Sequence, residues 1–251
     1  MENFSPPVAG LLLDADPDYK ALGLSKTHVP ELIVLGTDKA RLEDHDRVPS
    51  AVIAWRALAY LGAEDAIAPL IALFPLAEEG VQAVFTDLPG TFGGYGAAAI
   101  DPLLAYIRDG TQPHMARVVG VNALIAVGEV EEHRETVGAH FADLLENYAK
   151  QDNEFNGYVM LGLVKTRHTA AADLIKQAFE AKQVDPFITG DWEKVQVALG
   201  LATYEEIRNK ERKSGGRPPS LREVIGGGMD EMGLTRKGQR KKKKTKRKKR
   251  K

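Results

Sequence analysis

The 251-residue sequence predicts an all-α fold, an α-solenoid (superhelix) of antiparallel helical hairpins ending in a disordered basic C-terminal tail. Three observations lead there. Apolar residues between Ser5 and Leu201 recur at helical spacing, and no alternating run bounded by hairpin turns marks a strand. A helical-hairpin pattern repeats about 33 residues apart, as in arrays where each hairpin covers its neighbour's apolar face. After Tyr204 the composition turns polar and then almost purely basic.

Residues 5–40 are expected to form a short N-terminal cap. In 51–61 the large apolar residues Val52, Trp55, Leu58 and Leu61 fall three apart with alanines beside them, one buried stripe on one helix. Gly62-Ala63-Glu64 breaks it, and Asp65 is placed to cap a second helix with the stripe Ile67, Leu70, Ile71 and Phe74. The hairpin then recurs: Ala66-Ile67-Ala68-Pro69-Leu70-Ile71-Ala72 matches Ala99-Ile100-Asp101-Pro102-Leu103-Leu104-Ala105, 33 positions on. The proline falls in the opening turn, where backbone N–H groups have no intrahelical partner and its missing donor costs little. The helix ahead of each copy ends in Leu61-Gly62, Phe92-Gly93 and, a third time, Val127-Gly128, where glycine suits a left-handed stop. A third unit pairs 113–127 with a long helix over 132–150. A fourth pairs 153–165 with 169–182, and a helix over 191–199 closes the array.

A helix ending in Leu-Gly, a short turn, then Ala-Ile-x-Pro-Leu-hydrophobic resembles HEAT repeats of the phycobilisome-lyase subtype, over residues 49–182. Gly190-Asp191-Trp192-Glu193 and Leu199-Gly200-Leu201 are similar to segments of uncharacterised bacterial HEAT-like proteins. The resemblance implies an armadillo-type helical scaffold or adaptor or, in one branch, a chromophore lyase working in the groove of the array. Some proteins of this kind end in a cysteine-rich zinc motif. This chain has no Cys, so no zinc role carries over. The expected organisation is a solenoid over 1–204, a linker with one short helix over 205–234, and a disordered tail over 235–251.

An apolar share of 43% supports a sizeable core. The absence of cysteine excludes disulfides, thiolate catalysis and cysteine-type zinc sites. The N-terminus, Met1-Glu2-Asn3-Phe4, shows no secretory signal, and the longest apolar stretch is interrupted by Pro69 and Pro75. The expectation is a soluble, cytoplasmic protein without membrane insertion, or a nuclear one if the host is eukaryotic.

No constellation of residues names a reaction. Gly90-Thr91-Phe92-Gly93-Gly94-Tyr95-Gly96 lacks the Gly-Lys-Ser/Thr ending and the preceding strand of a phosphate loop, and reads as an inter-helix turn. Glu43-Asp44-His45-Asp46 has no glycine-punctuated calcium loop around it and reads as a solvated acidic loop. His133 and His140 are seven apart, about 10 Å by helical rise, too far to share one metal. Of the five serines, Ser5 and Ser50 mark helix starts and none sits in a nucleophile elbow. Trp55 reads as core, and Trp192 as a cover over the end of the array. No catalytic, cofactor or metal residue is expected.

The tail is different. Arg236, Lys237, Arg240, Lys241, Lys242, Lys243, Lys244, Lys246, Arg247, Lys248, Lys249, Arg250 and Lys251 supply 13 of the 34 Lys and Arg and no acid intervenes. The other 21 cations face all 35 Asp and Glu, so the formal charge of −1 divides into −14 before Thr235 and +13 after it. So many like charges without apolar side chains cannot fold alone. They suit nucleic acid or ribosome, bound through phosphates without base specificity because no aromatic residue is interleaved for stacking. Three functions are therefore open: a scaffold joining a protein partner to a polyanion, an enzyme of the solenoid groove, and a self-regulated protein whose tail folds back on its acidic body.

Overall fold

The computed structural model describes residues 4–13 and 16–213, and all regular structure among them is helical, without a strand. Helix α1 (Pro6–Gly10) has Ser5 at its N-cap and proline in its first turn, as the sequence indicates. The Ser5 N–H and O–H both donate to the Glu31 carboxylate on α2 (Val29–Thr37), at 2.9 and 2.7 Å. Asp38 caps α3 (Lys39–Leu42) by accepting the Arg41 N–H.

Helix α4 (Val48–Tyr60) carries the expected stripe, with Val52, Trp55 and Leu58 buried and Leu61 partly covered at its end. Ala51, Ala54 and Ala57 are fully buried beside them, and α4 packs closely on α2. Gly62 takes φ 56 and the Ala63 N–H closes back on the Leu58 carbonyl, the expected left-handed stop. Asp65 does not cap the next helix. It lies inside a 3₁₀ turn, Glu64–Ala66, that itself feeds α5 (Ile67–Ile71). Pro69 falls in the opening turn of α5. The helix is brief and gives way to the 3₁₀ turn Phe74–Ala77, where Pro75 has no N–H to extend it.

Short helices α6 (Gln82–Thr86) and α7 (Leu88–Thr91) lead through a 3₁₀ stretch, Phe92–Ala99, into α8 (Ile100–Arg108), where Pro102 repeats the place of Pro69. The expected left-handed stops at Gly93 and Gly128 are not formed, since neither residue has positive φ. Their glycines serve packing: an added Cβ would lie 3.0 Å from the Ala126 carbonyl oxygen at Gly93, and 2.7 Å from Thr166 Cγ2 at Gly128.

Helix α9 (His114–Gly128) is enclosed by α7, the 92–99 stretch, α8, α10 (Arg134–Leu145) and α11 (Asn153–Lys165). Accordingly it is apolar nearly all round, with Val118, Val119, Val121, Ala123 and Leu124 fully buried. The single long helix expected over 132–150 is instead the 3₁₀ turn Glu131–His133, α10 and a second 3₁₀ turn, Tyr148–Lys150, separated where Asn147 leaves helical geometry (φ −93, ψ 18). Then follow α12 (Ala172–Glu180), α13 (Pro186–Thr189), α14 (Trp192–Ala198) and α15 (Tyr204–Lys213). Trp192 is partly buried, its ring 6.2 Å from that of Phe179 on α12.

Packing follows the chain: α2 lies on α4, α4 on α7, α7 on α9, α9 on α11 and α11 on α13. Beside this row α5 meets α8, and α10 meets α12. One unit ends at Ile207; Arg208 begins a second, of which the described part is the end of α15, to Lys213. The remainder of the expected linker and the whole basic tail lie outside the described residues. No helix among the described residues is long and apolar enough to cross a membrane.

Candidate functional site

The thirteen tail cations that the sequence singles out, Arg236 to Lys251, lie outside the described residues. The glycine-rich 90–96 segment is a packed turn. A Cβ on Gly94 would come within 2.9 Å of the Ala59 Cβ, and Gly96, at φ 56, passes so close to His133 that a Cβ would meet its Nε2 at 2.7 Å. Glycine is needed there for approach between helices, which leaves no phosphate cradle to explain. His133 and His140 do not converge: the first faces Gly96, and the second sits 3.9 Å from Asp143 on its own helix.

An aromatic cluster occupies the centre. Phe74, Phe92, Tyr95 and Tyr106 form an edge-to-face cluster with centroids 5.3 to 5.8 Å apart. Burial pushes the Tyr95 phenol far above its ordinary value, so it stays protonated at neutral pH.

Two features escape sequence reasoning because they join residues distant in the chain. The first brings His114, at the start of α9, between Asp152 and Glu154, at the start of α11. Nδ1 lies 3.3 Å from Asp152 Oδ2, and Nε2 lies 3.3 Å from Glu154 Oε2. One donor atom from each falls within 4.8 Å of the others, which invites a metal reading. The geometry argues otherwise. One ion can take only one ring nitrogen, and here each nitrogen faces a different carboxylate. Asp152 is also committed as the α11 N-cap, its Oδ1 accepting the Phe155 N–H at 2.8 Å. Two helix N-termini, both partially positive, add to the cost of a cation. The cluster ties α9 to α11, alongside Arg117, whose guanidinium lies 4.1 Å over the Phe155 ring and whose Nε–H donates to the Ile107 carbonyl at 2.9 Å. Burial lowers the Arg117 pKa from its ordinary value, against the opposing pull of Asp152 and Asp109.

The second feature is a cleft of about 550 Å³ between the start of α4 and the segment 79–87. Leu42, Val48, Pro49, Val81 and Ala83 supply apolar lining; Glu43, Glu79 and Asp87 supply acidic lining. Glu43 belongs to the acidic loop expected to be solvated, and its neighbours His45 and Asp46 are indeed fully exposed. Two of the protein's own cations already reach the acids. Lys39 Nζ lies 2.7 Å from Glu79 and 3.8 Å from Glu43, and Arg56 lies 3.7 Å from Asp87. The hydrogen bond to Glu79 is the main reason the Lys39 ammonium is held above the ordinary lysine value.

No family model matches the chain, and the searches found neither a curated protein nor a solved structure similar to it.

Proposed function

We propose that the protein is a non-enzymatic, cytoplasmic scaffold of the HEAT-like solenoid kind. Its acidic helical body binds a protein partner, and its polybasic tail binds nucleic acid or ribosome through phosphates. The observation that carries this reading is the division of charge, −14 before Thr235 and +13 after it. The row of helices from α2 to α13, each lying on the next, supports the repeat half of the reading. Among the described residues, polar groups such as the Asp38 and Asp152 caps and the His114 tie between α9 and α11 serve to fix helices against one another, which suits a scaffold.

The test compares the full chain with one truncated after Leu234 for binding to single-stranded RNA and duplex DNA across a salt series. Each neutralised phosphate contributes about −0.7 (single strand) to −0.9 (B-DNA) to the slope of log K against log salt. The full chain should show a steep negative slope on both, and truncation should bring it close to zero. Equal slopes for the two chains would remove the tail from the function.

A further inference from the structure

We propose that the cleft beside the α3–α4 loop is a docking groove for a basic, partly aliphatic peptide segment of the partner protein. The inference rests on the scaffold reading above and names the face and the chemistry it would use. The groove combines two properties. Its apolar lining, with Val48 and Pro49 at the start of α4 and Val81 opposite, gives aliphatic side chains a surface to cover. Its acids, Glu79 and Asp87, give cations a place to settle.

The protein shows on its own rim which ligand group the acids take. Lys39 draws Glu79 and Glu43 together around one ammonium, and Arg56 leans on Asp87. Both pairs are about half exposed, and exposed pairs of this kind contribute little to stability. An incoming Lys or Arg can therefore replace Lys39 or Arg56 at small cost, and the peptide's aliphatic residues then add burial that neither provides. The net negative charge of the body steers such a ligand inward and repels an acidic one. A nucleic acid is excluded from this groove on the same ground.

The experiment measures fluorescence anisotropy of a labelled peptide, GKRLLKRG, titrated with the full-length protein at low salt. A second peptide with both leucines replaced by serine reports on the apolar lining without altering the protein. Binding is expected to be about tenfold weaker for Glu79→Gln/Asp87→Asn, about threefold tighter for Lys39→Ala, and several-fold weaker for the serine peptide. All three sites are on the surface, and circular dichroism verifies that the variants are folded. Affinity indifferent to Glu79, Asp87 and Lys39, equal affinity for the two peptides, or no binding at all overturns the groove. The adaptor reading has its own arm: it falls only if truncation after Leu234 also leaves the salt slope of nucleic-acid binding unchanged.

Discussion

Trp55 on α4 donates its indole N–H to the carbonyl of Gly36 on α2 at 2.7 Å, and the residue that accepts is also the one that makes room. A Cβ on Gly36 would lie 2.9 Å from Trp55 Cδ1 and 3.1 Å from its Nε1. Trp55 is wholly buried, so the ring cannot swing away. Gly36→Ala should therefore destabilise the protein by about 1–2 kcal/mol, the cost of overpacking exceeding alanine's better helix propensity. Trp55→Phe keeps most of the ring but leaves the Gly36 carbonyl without its partner, for about 2–3 kcal/mol. Urea unfolding followed by circular dichroism measures both; unchanged midpoints would mean that the α2–α4 contact is not tight.

Left-handed helix stops account for a second prediction. After α4, α12 and α14 the chain turns through Gly62, Lys182 and Gly200, with a six-to-one hydrogen bond closing each: Ala63 N–H to Leu58, Gln183 N–H to Ala178, Leu201 N–H to Gln196. Lys182 holds φ 57 with a side chain attached, as does Arg167 (φ 54) after α11. A non-glycine residue there costs about 1–2 kcal/mol, against about 0.5–1 kcal/mol of extra chain entropy for glycine. Lys182→Gly should therefore stabilise by about 0.5 kcal/mol. The melting temperature should rise by about 1–2 °C, and a fall would mean that Lys182 makes a contact that outweighs its strain.

These turns also show what the sequence could reveal. Helical periodicity located most helices because a buried face constrains every third or fourth residue: 153–165 coincides with α11, and Pro69 and Pro102 open α5 and α8. Of the three glycines that the sequence marks as stops, Gly62, Gly93 and Gly128, only Gly62 forms one. At Gly93 and Gly128 the same residue answers a neighbour from another part of the chain, and at Arg167 and Lys182 the stop is made without glycine, so local chemistry alone misleads in both directions. The groove and the His114 cluster were illegible for a related reason. Glu43 and Glu79, or His114 and Asp152, are 36 and 38 positions apart in sequence and meet only through packing.

Close approach between α10 and α11 depends on Gly162. A Cβ there would lie 2.6 Å from Phe141 Cε2 and Cζ, and Phe141 is fully buried. Gly162→Ala should cost about 1–3 kcal/mol as Phe141 is forced off its rotamer. Gly110 is the control. Nothing lies within 4 Å of its added Cβ and its φ is not positive, so Gly110→Ala should leave stability unchanged or raise it by about 0.4–1 kcal/mol. Similar destabilisation in both variants would remove the packing argument for Gly162.

The attachment of α1 should depend on pH through Glu31. Its carboxylate accepts the Ser5 N–H and O–H, and these two bonds, the backbone one first, hold its pKa below the ordinary glutamate value. A carboxylate whose pKa is depressed on folding contributes stability that is present above its unfolded pKa, near 4.3, and lost as pH falls through the folded value. Protonation removes the charge that both Ser5 donors address. Hydrogen exchange of the Ser5, Val8, Ala9 and Gly10 amides, corrected for intrinsic rates, should therefore show protection at pH 7 that declines below about pH 4. In Glu31→Gln the amide oxygen can accept but carries no charge, so protection should be lower at pH 7 and should not change across the same interval. The same acid-dependent decline in both proteins would place the sensitive group elsewhere than at Glu31.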